Sequence, residues 1–80
     1  MSHVPHELPE ALPEYAEAIA AARASNAHFA RLADEYHEVN REIHRAETNL
    51  QPTEDLYIVE MRKRRLALLD ELRRMLAQAA

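Results

Sequence analysis

Two histidines, His37 and His44, have the residue type and the spacing that could bind a metal ion. They lie seven positions apart, which places them on one face of a helix, with Arg41 between them. A metal site needs three or four converging ligands with supporting partners, and a cation between two ligands opposes metal binding. We therefore predict half-exposed boundary residues rather than a metal site. His3 and His6, near the start of the chain, could bind a metal only adventitiously.

Acid–base and nucleophilic chemistry have equally little support. Three pairs of adjacent carboxylates stand in the sequence at Asp34-Glu35, Glu54-Asp55 and Asp70-Glu71. Acid–base catalysis needs a cleft that shifts pKa values, so we interpret these pairs as cap or surface charges. The absence of cysteine excludes thiolate metal sites, and the absence of glycine excludes glycine-rich phosphate loops. We expect no enzymatic activity, no cofactor and no resident metal.

A run of four cations, Arg62-Lys63-Arg64-Arg65, could neutralise phosphates, and nucleic-acid association is therefore the alternative function. The net charge of −4, the scarcity of aromatic residues and the spread of consecutive cations around a helix weigh against it. An acidic protein partner is a further hypothesis. We favour pairing within the chain, with Arg65 bound to Glu38 or Glu42 so that the ion pair fixes the register of two helices.

The element that must position these residues is a long helix. Apolar side chains recur at steps of three and four, the heptad pattern of a helix lying along another helix, at Phe29, Leu32, Tyr36, Val39, Ile43, Ala46 and Leu50. A second helix over residues 54–78 has its own heptad line, at Ile58, Met61, Arg65, Leu68, Leu72, Met75 and Ala79. These two lines predict the seam between the helices.

Proline and capping residues divide the first part of the chain. The four-residue spacing of Pro5 and Pro9 predicts a disordered lead over residues 1–12. A short helix over residues 13–24 follows, and Asn26 can cap the main helix over residues 26–50. We predict a kink or break near Asn26, with a single bent helix as the alternative.

The connection between the long helices, residues 51–53, is short. Pro52 disfavours continuation of the first helix, and Thr53 can cap the second. A connection this short makes the helices antiparallel neighbours. The predicted fold class is therefore an all-α, coiled-coil-like, two-helix hairpin, one domain over residues 13–80. Since the two long helices match in length, we expect residues 13–24 to overhang the hairpin without a partner in the same chain.

The second helix has more apolar surface than one seam needs, as in a bundle helix that contacts two neighbours. We predict a homodimer that pairs two hairpins into a four-helix bundle. The candidate interface residues are Leu66, Leu69, Leu76, Tyr15 and Ile19. Docking of an unknown protein on the overhang is the alternative.

No apolar run approaches the roughly 18 residues of a membrane span and no secretory leader is evident, so we expect a cytoplasmic protein.

Several short motifs resemble those of the YdcH-like family of small bacterial proteins. They are His28-Phe29-Ala30-Arg31-Leu32, Tyr36-His37-Glu38-Val39-Asn40, Ile43-His44-Arg45-Ala46-Glu47, Lys63-Arg64-Arg65-Leu66-Ala67-Leu68 and Asp70-Glu71. The resemblance covers residues 8–76. It implies a bacterial cytoplasmic source and a helical hairpin, and it implies no established activity. Together with the seams, it predicts a non-enzymatic, self-associating interaction or scaffold module.

Overall fold

The computed structural model describes residues 7–48 and 55–79. These residues form α1 (Leu8–Ala11), a 3₁₀ turn (Pro13–Tyr15), α2 (Ala16–Ser25), α3 (Ala27–Thr48) and α4 (Asp55–Ala79). No strand occurs within these two ranges, and the predicted all-α class is confirmed. The predicted turn at 51–53, which includes the predicted cap Thr53, lies outside the described residues, as do Glu54, Leu50, His3 and His6.

The helices α3 and α4 pack along each other. Phe29, near the start of α3, lines the same cavity as Leu76, near the end of α4. Glu47, near the end of α3, forms an ion pair with Arg62 in the first third of α4. These contacts connect both ends of α3 with α4.

Asn26 separates α2 from α3. Its backbone is extended, with φ −136° and ψ 105°. Its side-chain oxygen accepts hydrogen bonds from the backbone N–H groups of His28 at 3.0 Å and Phe29 at 3.1 Å, which caps α3. Because α3 starts anew after this residue, the chain changes direction instead of continuing as one bent helix.

As a result, α2 lies against α3 and α4 of the same chain. It packs on both α3 and α4, and Arg23 forms an ion pair with Asp34 at 2.8 Å. Ile19 of α2 is buried. The expectation that residues 13–24 overhang the hairpin without a partner is therefore wrong, because the break at Asn26 turns the apolar side of α2 onto the hairpin.

The lead also differs from expectation over residues 7–12, which are ordered rather than disordered. Leu8 and Leu12 are only 1% and 0% exposed. Pro9 stands in the first turn of α1, and Pro13 begins the 3₁₀ turn. A missing backbone N–H costs nothing at these positions, so neither proline opposes helix formation there. The burial of the two leucines holds the segment in place.

The core lies where α1, α2, α3 and the second half of α4 meet. Its members are Leu8, Leu12, Ile19, Phe29, Ala33, Tyr36, Val39, Ile43, Leu68, Leu72 and Leu76. The three α4 members all come from its second half. The first half of α4, residues 55–67, has no residue in this core among those described.

Candidate interaction surface

The inner face of α4 carries the predicted seam. Of the predicted seam residues, six are buried: Phe29, Tyr36, Val39, Ile43, Leu68 and Leu72. Five others are half-buried: Leu32, Ile58, Met61, Arg65 and Met75. Ala46 is also half-buried, whereas Ala79 is exposed. The two helices thus bring the buried and half-buried positions into one contact. On α4, its buried members, Leu68 and Leu72, lie in the second half.

Arg65 lies in this seam and binds an amide rather than a carboxylate. Its guanidinium donates a hydrogen bond to the side-chain oxygen of Asn40 at 2.9 Å, and Asn40 is 1% exposed. The predicted partners Glu38 and Glu42 are not used. Glu38 is exposed and bound to Arg41 at 2.8 Å, and this hydrogen bond holds the pKa of Glu38 below its ordinary value. The contact that aligns the two helices at this point is therefore a hydrogen bond from the charged Arg65 to the buried, neutral Asn40.

Each cation of the basic run has a partner in its own chain. The pairs are Arg62 with Glu47, Lys63 with Glu60, Arg64 with Glu35 and Arg65 with Asn40. The pairs of Arg62, Arg64 and Arg65 join α4 to α3, whereas the Lys63 pair lies within α4. Since three of the four partners are acidic and lie in different directions, the run is not a continuous basic surface. Nucleic-acid association through this run stays a prediction.

The opposite side of α4 carries exposed apolar residues. Leu56 is 76% exposed, Val59 41% and Leu66 58%. With Lys63 and Asp70 they follow one another at steps of three, four, three and four. Since successive helix residues turn by about 100°, this line lies on the side of α4 away from the seam. We call these five residues the outer face, and all of them are exposed.

The outer face corrects the predicted oligomer interface. Leu66 is exposed as expected of a contact residue, whereas Leu69 and Tyr15 are half-buried. Leu76 and Ile19 are 2% and 6% exposed, because they pack into the core of their own chain. The expectation that those two residues face another chain is wrong.

Sequence reasoning also missed two residues of this surface, Leu56 and Val59. A signal was present: they begin a second heptad line on α4. Lys63 and Asp70 interrupt that line, so a search for apolar residues alone does not find it.

Comparison with known proteins identifies the hairpin region. A family model described as "Protein of unknown function (DUF465)" matches residues 29–76. The chain belongs to this family. The match is consistent with the resemblance to YdcH-like proteins, which is thereby confirmed. No curated protein and no solved structure matches the chain.

In this DUF465 protein, the matched span includes most of α3 and the greater part of α4, with both the seam and the outer face. The family description assigns no activity. Over residues 7–48 and 55–79, no helix combines the length and the apolar character needed to cross a membrane.

His37 joins the N-terminal segment of the DUF465 protein to α3. Its Nδ1 lies 2.9 Å from a carboxylate oxygen of Glu7, and its ring meets the ring of Tyr36 edge-on at 5.9 Å. In the described part of the chain no three potential ligands come together around His37 or His44 to hold a metal. The position of His37 is explained by its contact with the lead.

Tyr36 of α3 and Tyr57 of α4 have different surroundings. Burial raises the pKa of Tyr36, and the positive charge of Arg65 partly opposes this effect. Tyr57 is 42% exposed, and its hydroxyl donates a hydrogen bond to Glu42 at 3.1 Å. That hydrogen bond is the main cause of a raised pKa for Tyr57.

A cavity of about 340 Å³ lies between α2 and the paired ends of α3 and α4. Phe29 and Leu76 supply part of its apolar wall. Two of its polar side chains are already engaged: Ser25 donates to the backbone carbonyl of Ala21, and Asn26 caps α3. The cavity is therefore an apolar groove without a set of converging polar groups. This arrangement leaves the outer face as the stronger candidate surface.

Proposed function

We propose that this protein is a non-enzymatic, self-associating helical module of the cytoplasm. In this proposal, α3 and α4 form an antiparallel hairpin, and two hairpins associate through the outer face of α4. The observation that carries the proposal is the exposure of Leu56, Val59 and Leu66 on a helix whose opposite face already contacts its own chain.

The spacing of these residues favours a helix as the partner. Apolar side chains at alternating steps of three and four form a narrow stripe that another helix can cover along its length. Isolated apolar residues on a surface need no explanation, but an aligned set marks a contact. The outer face meets that condition, because its apolar members all lie on one heptad line.

The second copy is a suitable partner because it offers the same stripe. Pairing α4 with α4 brings four long helices together, with each α3 and each α2 on the far side of its own α4. Each copy contributes only three large apolar side chains, and the middle of the line is charged. We therefore expect a dissociation constant on the order of 10 μM rather than an obligate dimer.

The surroundings of the carboxylates support a non-enzymatic function. The adjacent carboxylate pairs 34–35 and 70–71 all have arginine partners on the surface. The contacts are Asp34 with Arg23, Glu35 with Arg64, Asp70 with Arg73 and Glu71 with Arg74. Acid–base chemistry depends on groups whose environment shifts their proton affinity towards neutral pH, and surface ion pairs do not supply such an environment.

Sedimentation equilibrium over a concentration series tests the proposal. We expect the wild-type chain to pass from monomer to dimer through the micromolar range. Leu66→Glu should weaken association at least tenfold, because it places two carboxylates in the contact. Ala20→Glu, on the exposed side of α2, is the matched control and should associate like the wild type. A wild-type monomer at every concentration, or equal loss in both variants, would refute the proposal.

A further inference from the structure

We infer that the two copies pair α4 against α4 in antiparallel orientation, centred between Leu66 and Ala67, with Lys63 of each copy opposite Asp70 of the other. This inference rests on the proposed self-association and adds the orientation, the register and the residues that select them. It follows from the order of charges along the exposed side of α4.

The central part of that order is self-complementary. Reading along the helix, the exposed side presents a base, two apolar residues and an acid, at Lys63, Leu66, Ala67 and Asp70. Glu60 precedes this stretch, and Arg73 and Arg74 follow it. An antiparallel pair therefore sets Lys63 against Asp70 twice and brings Glu60 near Arg74. Leu56 then lies opposite Ala77, and Val59 lies opposite the turn with Arg73 and Arg74. A parallel pair in register sets each charge against its own copy.

The helix geometry places these contacts on matching sides. Lys63 and Asp70 lie close to the centre line of the outer face, since seven residues make nearly two turns. Glu60 and Arg74 lie fourteen residues apart, on the same flank, by the same reasoning. A two-fold axis perpendicular to the helices keeps one flank of each copy on the same side of the interface, so that Glu60 can reach Arg74 of the second copy.

Lys63 and Asp70 are available for such pairing, whereas Arg74 lies 3.0 Å from Glu71 of its own chain and must leave it to reach Glu60. Lys63 now lies 3.8 Å from Glu60, and Asp70 lies 3.7 Å from Arg73, both beyond hydrogen-bond range. The side chains of Lys63 and Asp70 are 71% and 54% exposed. Exposed pairs of this kind contribute little, so redirecting them to a second copy costs little.

Charges within an otherwise apolar line give specificity at some loss of affinity. In paired helices, polar residues at core positions fix the register and the orientation, because other arrangements leave them without a partner. Lys63 and Asp70 would act in this way here. Ala67, beside the axis, is small enough for the two backbones to come close.

Cysteine cross-linking tests the orientation on the full chain, which has no cysteine of its own. Ala67 and Ala77 are exposed alanines on the same side of α4. In the antiparallel arrangement, Ala67→Cys lies beside its counterpart, whereas the two copies of Ala77→Cys are about 30 Å apart. We expect Ala67→Cys to form a disulfide-linked dimer in a glutathione redox buffer, and Ala77→Cys to remain at least tenfold less linked.

Charge reversal tests the register independently. Lys63→Asp and Asp70→Lys should each weaken association on the order of tenfold, because each sets like charges opposite one another twice. The double variant with both substitutions should recover wild-type association. A parallel dimer would show neither effect, since each position would still face its own copy.

The outcomes separate this inference from the proposal beneath it. A dimer by sedimentation with efficient linking at Ala77→Cys, or with no linking at either cysteine, would overturn the antiparallel register and leave self-association intact. Failure of the double charge variant to recover association would also overturn it. A wild-type chain that stays monomeric would remove both.

Discussion

The two halves of α4 cover their apolar residues in different ways. In the second half, Leu68, Leu72 and Leu76 are buried beneath residues of the same chain. In the first half, Leu56 and Val59 are exposed. Leu68 and Leu72 lie in the seam with α3, and α2 adds a further layer over this end of α4, where Leu76 is buried. The outer face of the first half has no such layer among the described residues.

This difference indicates what each half contributes. Substitutions in the covered half should lower the free energy of unfolding at every protein concentration, because their partners belong to the same chain. Substitutions on the outer face of the first half should act mainly on association, and the folded monomer should hardly respond to them.

The largest effect is expected from Leu72→Ala, in the covered half. Leu72 is fully buried, and truncation of a buried leucine costs about 2–5 kcal/mol. Leu56→Ala, at the other end of the same helix, should cost less than about 0.5 kcal/mol in the monomer. Urea unfolding at low protein concentration measures both. Equal losses for the two variants would show that the halves do not differ.

A smaller effect is expected from Arg65→Ala, on the seam side of the first half of α4. The substitution removes the hydrogen bond to Asn40, a buried group, and should cost about 1–3 kcal/mol. Arg64→Ala, the adjacent control, removes only an exposed pair with Glu35 and should cost at most about 1 kcal/mol. If chemical denaturation ranks the two variants in the reverse order, Arg65 does not stabilise the seam as described.

Asn26→Ala should reduce the free energy of unfolding by about 1 kcal/mol, because the side chain caps α3 at the break between α2 and α3. Ser25→Ala is the neighbouring control. Ser25 donates to the carbonyl four residues earlier, a contact that stabilises helices little, so this variant should be near neutral. Thermal unfolding followed by circular dichroism distinguishes them, and similar midpoints for both variants would contradict the capping role.

The smallest effect concerns the tyrosines. Tyr36 has an ordinary pKa of 10.0, which burial raises in the folded state. The folded chain therefore keeps a proton that the unfolded chain loses, and stability should fall as the pH rises above about 10. Glu42→Ala should lower the pKa of Tyr57 and leave that of Tyr36 raised. NMR titration of both rings tests this, and a parallel fall in both pKa values would contradict the two separate causes.

The sequence was sufficient to predict the main helices and the seam, because apolar residues fill nearly every seam position from Phe29 to Ile43. It was not sufficient for the lead, since Pro9 was interpreted as a helix breaker although it stands in a first turn. Nor could spacing decide the partner of Arg65. Glu38, Asn40 and Glu42 all carry acceptor oxygens and lie close together in the sequence. The packing of the helices determines that Arg65 binds the buried amide of Asn40.

The most direct test of the account is a dilution series of amide NMR spectra on the wild-type chain, from millimolar to low micromolar concentration. We expect chemical-shift changes to concentrate on the exposed side of α4, from Leu56 to Asp70, while Ile19 and Phe29, which are buried in other helices, stay constant. Changes centred on α2 and α3, or spectra that do not depend on concentration, would contradict the claim that the outer face of α4 is where two copies meet.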